Sequence, residues 1–453
     1  MTVSVFSYWK LHKYPILMVF FSMLFYASIA YDLERTQFIK FITLCVAAFF
    51  FTYKLIQFEK WNFKFLVIAG ILMRLVFLCA TPNLSQDFYR FIWDGLLINE
   101  GINPYLYSPT EIIQQQIASL PNATLLYDGM GTLSAKHYSN YPPLNQLLFS
   151  LVTFFSKGSI MGSVIGIRVL IIISDIGILY FAKQLLKFQN RPQHVVFWYF
   201  INPLVIIELT GNLHFEGVMI CLFLAALHLV SKQKPILASI LYGGSICLKL
   251  IPLLFLPLFI KRLGAKRSIT FYIGVAISCL SLLYIFYIPE FLEHYTQTIR
   301  LWFSNFEFNA SIYNIVKHIS TAFGAKPWRL IKTYGAIIPW IIIAVVALFT
   351  ILKKDNKMDT LFHSMLWSLA IYYILATTVH PWYIIVLLII SIFTEYRFPI
   401  IWSAMVILSY WAYTHPEYKE NLWLLTFEYS AVFSYMLYEI YTHRNKMLLF
   451  CKK

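Results

Sequence analysis

The chain has 453 residues, of which 59% are hydrophobic, 18% aromatic and only 13% charged. A soluble domain carries roughly 25% charged residues, so a soluble enzyme is excluded, and the continuous apolar runs exclude a transmembrane barrel, whose segments of ~10 residues alternate. The net charge of +15 fits the cytoplasmic loops of a multi-pass protein in a lipid bilayer, and no nucleic-acid partner is expected.

The expected fold is all-α, a single membrane domain over residues 1–453 with about 13–14 transmembrane helices, some short or broken. Trp9-Lys10-Leu11-His12-Lys13 precedes the first apolar run, and Ser28-Ile29-Ala30 resembles a signal-peptide cleavage site. That run is long enough to span and a second follows closely, so a retained first helix is expected. Candidate spans lie at 15–31, 37–56, 63–81, 161–186, 194–211, 214–231, 236–248, 249–261, 269–288, 330–352, 360–378, 382–394, 398–413 and 421–441. Segments 236–248 and 249–261 read as a broken helical hairpin, tolerated at membrane depth where it lines a cavity. Residues 144–157 read as an interfacial helix, because counting them as a span would invert every later loop. The six cysteines form no CxxC pair and read as small hydrophobes.

Lysine and arginine set the orientation. With the N-terminus inside, Lys54, Lys60, Lys64, Lys183, Lys187, Arg191, Lys261, Arg262, Lys266, Arg267, Lys353, Arg444 and Lys446 fall on the inner side. The outer segments are then the long loop 82–160, the turn 211–217, a second loop 289–329, the His380-Pro381-Trp382 turn and 414–420. Long structured loops carry function.

The polar candidates gather on that outer side. Asp87 and Asp94 stand in Ser85-Gln86-Asp87-Phe88-Tyr89-Arg90-Phe91-Ile92-Trp93-Asp94-Gly95, seven residues apart and so on one helical face. They read as a general base and a second carboxylate for a substrate hydroxyl or a metal, against the plainer reading of solvated acids or helix caps. Asn103-Pro104-Tyr105 and Tyr141-Pro142-Pro143 shape the same loop, with Tyr141 a candidate ligand contact. His214 and Glu216, in Gly211-Asn212-Leu213-His214-Phe215-Glu216-Gly217, suit a sugar hydroxyl or a phosphate, or form an ordinary polar helix end. Their spacing matches no strong metal-ligand set. Lys249 sits at the outer tip of the broken hairpin, where it either snorkels or meets an anion. His380, Glu307 and Arg300 complete the set, with Arg90 and Arg300 as further cations. No P-loop or GxSxG sequence appears, against an ATP-driven pump or a serine hydrolase.

The segment "QDFYRFIWDG…GINPYLY", followed in order by "YPPLNQLLF", "GNLHFEG", "LKLIP" and "HPWY", resembles GT-C-fold glycosyltransferases that use polyprenyl-phosphate sugars. Similarity is to bacterial membrane mannosyltransferases and more distantly to the GPI mannosyltransferase I group. The resemblance implies inverting transfer of a hexose, mannose by resemblance, from a polyprenyl-phosphate donor to a glycan or lipid hydroxyl. The transfer would occur on the extracytoplasmic face of the inner membrane. It implies that Asp87 is the base. The chain departs from the pattern twice: Ser85-Gln86-Asp87 stands where the GPI group carries Asp-x-Asp, and His214-Phe215-Glu216 where bacterial relatives carry His-Asn-Asp. Metal use is therefore not carried over, and no cofactor is expected. Asp87 would take the acceptor's proton, while Lys249, Arg90 and Arg300 are candidates for the departing phosphate. The competing reading is a multi-pass transporter or flippase, but such proteins show internal repeats and midplane charges, whereas here the polar groups cluster toward one face.

Overall fold

The computed structural model describes residues 5–353, 355–415 and 417–451. Within them the regular secondary structure is all helical, apart from one bridge between Phe308 and Thr378. Two long helices open it, α1 (Val5–Tyr31) and α2 (Phe38–Glu59), followed by a short α3 (Phe63–Leu75). The long segment between α3 and the next long helix holds α4 (Asp87–Asn99), α5 (Pro109–Gln115), α6 (Ala123–Ala135) and α7 (Pro143–Ser156). Then come α8 (Ile160–Phe188), α9 (Glu216–Ser231), α10 (Pro235–Ile246) and α11 (Ala265–Ile285). The 289–329 segment carries α12 (Phe291–Asn305) and α13 (Ile312–Ala322), and α14 (Pro327–Leu352), α15 (Met358–Leu375) and α16 (Leu422–Cys451) follow.

Among the described residues five helices are long and apolar enough to cross a membrane: α1, α2, α8, α11 and α14. Their outward faces are apolar, with Ile39 70%, Ile277 59% and Trp340 73% exposed. Apolar surface on that scale needs lipid against it. The other expected spans also form helices at the expected places; most are short or bent, and 421–441 lies within the 30-residue α16. Segment 63–81 stops as a helix at Leu75, where buried Arg74 turns inward onto Asp175 at 2.7 Å. Segment 194–211 is two helices, Gln193–Phe200 and Pro203–Gly211, bent by 51°. Pro203 lacks the N–H that would continue the first.

Two breaks in this scaffold position the site. The segment Ile206–Gly211 is a wide π turn, with Asn212 N–H bonded back to Ile207 O at 2.8 Å. Its open carbonyls are taken by one side chain: Arg168 donates to Thr210 O (2.8 Å), Gly211 O (3.2 Å) and, from the α3 end, Leu78 O (2.9 Å). Irregular backbone at this depth persists because such a donor satisfies it. Leu213, at φ 65°, then reverses the chain into α9. The second break is the expected hairpin. α10 ends at Ile246, and a 3-10 stretch Ile251–Leu258 begins after Lys249. Its tip docks on the start of α7, through Leu144 N–H to Cys247 O (3.0 Å) and Asn145 Nδ2 to Leu248 O (2.5 Å).

Residues 144–157, expected as an interfacial helix, fall in α7. Phe154 and Phe155 are 67% and 75% exposed, while its other face packs on α4. The approach is close at Gly95, where a Cβ would lie 2.6 Å from the Phe149 carbonyl.

Candidate functional site

Asp87 is the first residue of α4, so its carboxylate sits at the positive end of the helix. The side chain is 44% exposed, opening into a recess whose walls are buried protein. Burial pushes its carboxyl above the usual carboxylate range; Lys249 opposes that shift, Glu216 adds to it, and Arg35 opposes it. The surface figure and the upward push agree if the carboxyl is open on one side and walled on the others.

His214 is the nearest wall. Its Nδ1 lies 4.0 Å from Asp87 Oδ2, and its Nε2 lies 3.5 Å from Glu208 Oε2. The ring stacks on Trp382 at 3.9 Å between centroids, and Trp382 stacks in turn on His380 at 4.4 Å. This sandwich fixes the plane of the His214 ring, leaving its two nitrogens aimed at carboxyls on opposite edges. Burial, with Lys249 and His380 nearby, holds the His214 imidazole well below its ordinary pKa. Burial first, then Lys249 and Arg35, bring His380 down to about 3. Both shifts favour the neutral ring.

His380 is held by the 289–329 segment. Phe308 N–H donates to Thr377 O and Val379 N–H to Phe308 O, strapping the Phe308 ring 4.9 Å from His380. Lys249 pairs with buried Glu216 at 3.0 Å and lies 5.9 Å from the Tyr141 ring. Tyr141 is half-buried, and burial raises its phenol well above the normal value.

The structure therefore brings together Asp87, His214, Glu216, Lys249, His380 and Tyr141. It does not bring the remaining candidates to them. Asp94 is buried and shares α4's face with Asp87 as expected, but its carboxylate is fully engaged. It accepts from Arg90 Nε (2.7 Å), Ser139 Oγ (2.6 Å) and Gln146 Nε2 (2.9 Å). Arg90 also donates to the carbonyls of Ser134 and His137. The pair ties α4 to α6 and α7 and leaves neither residue open to a substrate, which corrects the expectation for both. Glu307 pairs with Lys317 within the 289–329 segment. Arg300 lies on the exposed side of α12. Lys249 is not an unmatched cation, since Glu216 balances it.

Four participants escaped the sequence reading. Glu208, buried in the π turn, accepts from Tyr410 Oη (2.6 Å) and Asn212 Nδ2 (3.0 Å). Arg35, in the α1–α2 turn, lies 3.5 Å over the Tyr413 ring and forms no ion pair among the described residues. Trp382 and Tyr410 complete the wall. A carboxylate inside the apolar run 194–211 was the available signal for Glu208. Arg35 had none, because a basic residue in a short turn is commonplace. Among the described residues no three His, Cys, Asp or Glu side chains gather as metal ligands.

The family described as alpha-(1->6)-mannopyranosyltransferase, N-terminal domain, matches residues 21–264, a stretch that includes Asp87, His214, Glu216 and Lys249. Alpha-(1->6)-mannopyranosyltransferase A of Mycobacterium tuberculosis is 23% identical over 218 residues, covering 46% of this chain and 40% of that protein. The Corynebacterium glutamicum protein of the same name is 22% identical over 201 residues, 44% of this chain and 38% of its own. GPI mannosyltransferase 1 of Saccharomyces cerevisiae is 27% identical over 161 residues, 32% and 39% of the two chains. The matches thus span about two fifths of each relative. No solved structure matches significantly.

Proposed function

The chain belongs to the alpha-(1->6)-mannopyranosyltransferase family, and from that membership we propose that it is a membrane mannosyltransferase. Its donor is polyprenyl-phosphate mannose, its acceptor a hydroxyl of a glycan or glycolipid, and its site faces away from the cytoplasm. The observation that carries this reading is Asp87: a carboxylate at a helix N-terminus, half open in a recess walled by His214, Trp382, Tyr141 and the Lys249–Glu216 pair.

The reaction needs few groups. Asp87 takes the proton of the acceptor hydroxyl as its oxygen attacks the anomeric carbon. The bond from that carbon to the phosphate oxygen breaks, and polyprenyl phosphate leaves as the anion. One displacement inverts the anomeric centre. The aromatic walls suit a pyranose face, and Lys249 and Arg35 supply positive charge for the phosphate. The lipid tail stays in the bilayer against the apolar helices.

The test is Asp87→Asn. An amide keeps the shape but takes no proton, so transfer of labelled mannose from a short-chain polyprenyl-phosphate mannose to an alkyl α-mannoside should fall roughly 100–10,000-fold. Binding of the donor should persist. A variant that turns over near the wild-type rate would remove Asp87 from the role.

A further inference from the structure

The recess holds a second carboxyl that the displacement does not use. Glu208 is wholly buried and makes no ion pair with a lysine or arginine among the described residues. Its closest basic atom is Nε2 of neutral His214 at 3.5 Å. That nitrogen is itself buried and makes no hydrogen bond in the resting geometry. The groups facing Glu208 come from every element around it. They are Tyr410 and Asn212 as donors, His214 from the turn, Glu216 from α9 and Arg35 from the α1–α2 turn, and Cys45 from α2.

The charge count decides its state. Asp87, Glu208 and Glu216 face Lys249 and Arg35, so three ionised carboxylates would leave the recess one negative charge in excess. A phosphate-linked donor would then enter against that charge. Two neutral donors, Tyr410 and Asn212, favour an ionised Glu208. Full burial without a cation opposes it, and unpaired buried charge is the larger cost. With Glu208 neutral the recess is balanced before reaction. Once the acceptor's proton neutralises Asp87, one positive charge is left over for the departing phosphate.

We propose that Glu208 stands as a neutral carboxylic acid that donates its hydrogen to Nε2 of His214, fixing the tautomer that aims Nδ1–H at Asp87. The stacked Trp382 and His380 rings hold the imidazole plane, so only a small closure brings the 3.5 Å and 4.0 Å separations to hydrogen-bond length, as catalytic contacts tighten on substrate binding. Nδ1–H then fixes one oxygen of Asp87 and leaves the other for the acceptor. Glu208 is a positioning residue, acting through His214. The inference rests on the reading of Asp87 as base. Loss of the Glu208 proton at alkaline pH would flip the tautomer, leave Asp87 facing a lone pair, and lower the rate.

Glu208→Gln separates the alternatives, because the amide NH₂ donates to Nε2 as the acid does and its oxygen keeps the bond from Tyr410, while Asn212, which then meets a donor, turns its own amide to accept. Transfer from short-chain polyprenyl-phosphate mannose to an alkyl α-mannoside should stay close to the wild-type rate, and the alkaline fall of kcat should disappear. Glu208→Ala should lower kcat on the order of 100-fold, the cost of about 1 Å of misplacement at a reacting group, with the donor KM little changed. Three results would overturn the proposal: Gln as damaging as Ala, an alkaline limb unchanged in Glu208→Gln, or a Gln variant that does not fold. An infrared difference spectrum gives a readout apart from activity: the protonated-acid carbonyl band should be present in wild type and in Asp87→Asn, and absent in Glu208→Gln. If Asp87→Asn stays active while that band behaves as stated, the base assignment fails and the protonation of Glu208 stands.

Discussion

Asp94→Ala discriminates a structural anchor from the substrate ligand that the sequence suggested. Asp94 is fully buried, and Arg90 is 4% exposed. Removing the carboxylate deletes three hydrogen bonds, from Arg90, Ser139 and Gln146, and strands a guanidinium that keeps only two carbonyl partners. Breaking a buried pair from one side costs roughly 3–5 kcal/mol, whereas replacing both partners by apolar side chains of similar size is often neutral. Asp94→Ala and Arg90→Met should each lower the thermal midpoint in detergent, followed by size-exclusion recovery after heating. Arg90→Met with Asp94→Leu should recover much of that loss. The fraction still folded should keep the acceptor KM of wild type. If Asp94→Ala retained its midpoint and raised the acceptor KM instead, the anchor argument would be wrong and Asp94 would be touching substrate.

Lys249→Met tests the electrostatics of the base. Lys249 is the leading influence that opposes burial at Asp87, so its removal raises the Asp87 pKa further; activity needs the ionised form, and the acid limb of the pH–rate profile should move to higher pH. A limb that stays in place, with only the donor KM rising, would make Lys249 a phosphate contact and nothing more. Orientation is tested by single cysteines placed within 110–135 in the first outer loop: an impermeant thiol reagent should label them on intact cells, and labelling only after lysis would put the recess on the cytoplasmic side.

Much of the scaffold was legible because apolar runs report helices directly. Each expected span begins or ends within a few residues of a helix, and segment 236–261 breaks between Ile246 and Ile251, around Lys249. Span length was less legible. The end of α3 at Leu75 depends on Arg74 reaching Asp175, 101 residues away, and the bend before His214 depends on Arg168 gripping three carbonyls. Buried arginines of this kind look in sequence like ordinary interfacial charges, because their partners are distant in the chain.

The same distinction sorts the site residues. Asp87, His214, Glu216, Lys249 and His380 lay in short polar motifs at helix ends, and the fold brings those ends together. Asp94 and Arg90 lay in the most polar motif of all, yet a helix that must be buried along nearly its whole length cannot leave two charges unpaired. Their i,i+4 spacing let them satisfy each other. Glu208 shows the converse. An α-helical continuation would have carried it past the recess, whereas the π turn adds a residue to the turn and sets its carboxyl beside the imidazole six positions on. π turns of this kind recur at functional sites, and here the turn exists only while Arg168 holds its open carbonyls. The geometry around Asp87 is thus fixed from two sides, by the Arg90–Asp94 pair under its own helix and by Arg168 behind His214, and neither support touches the reacting atoms.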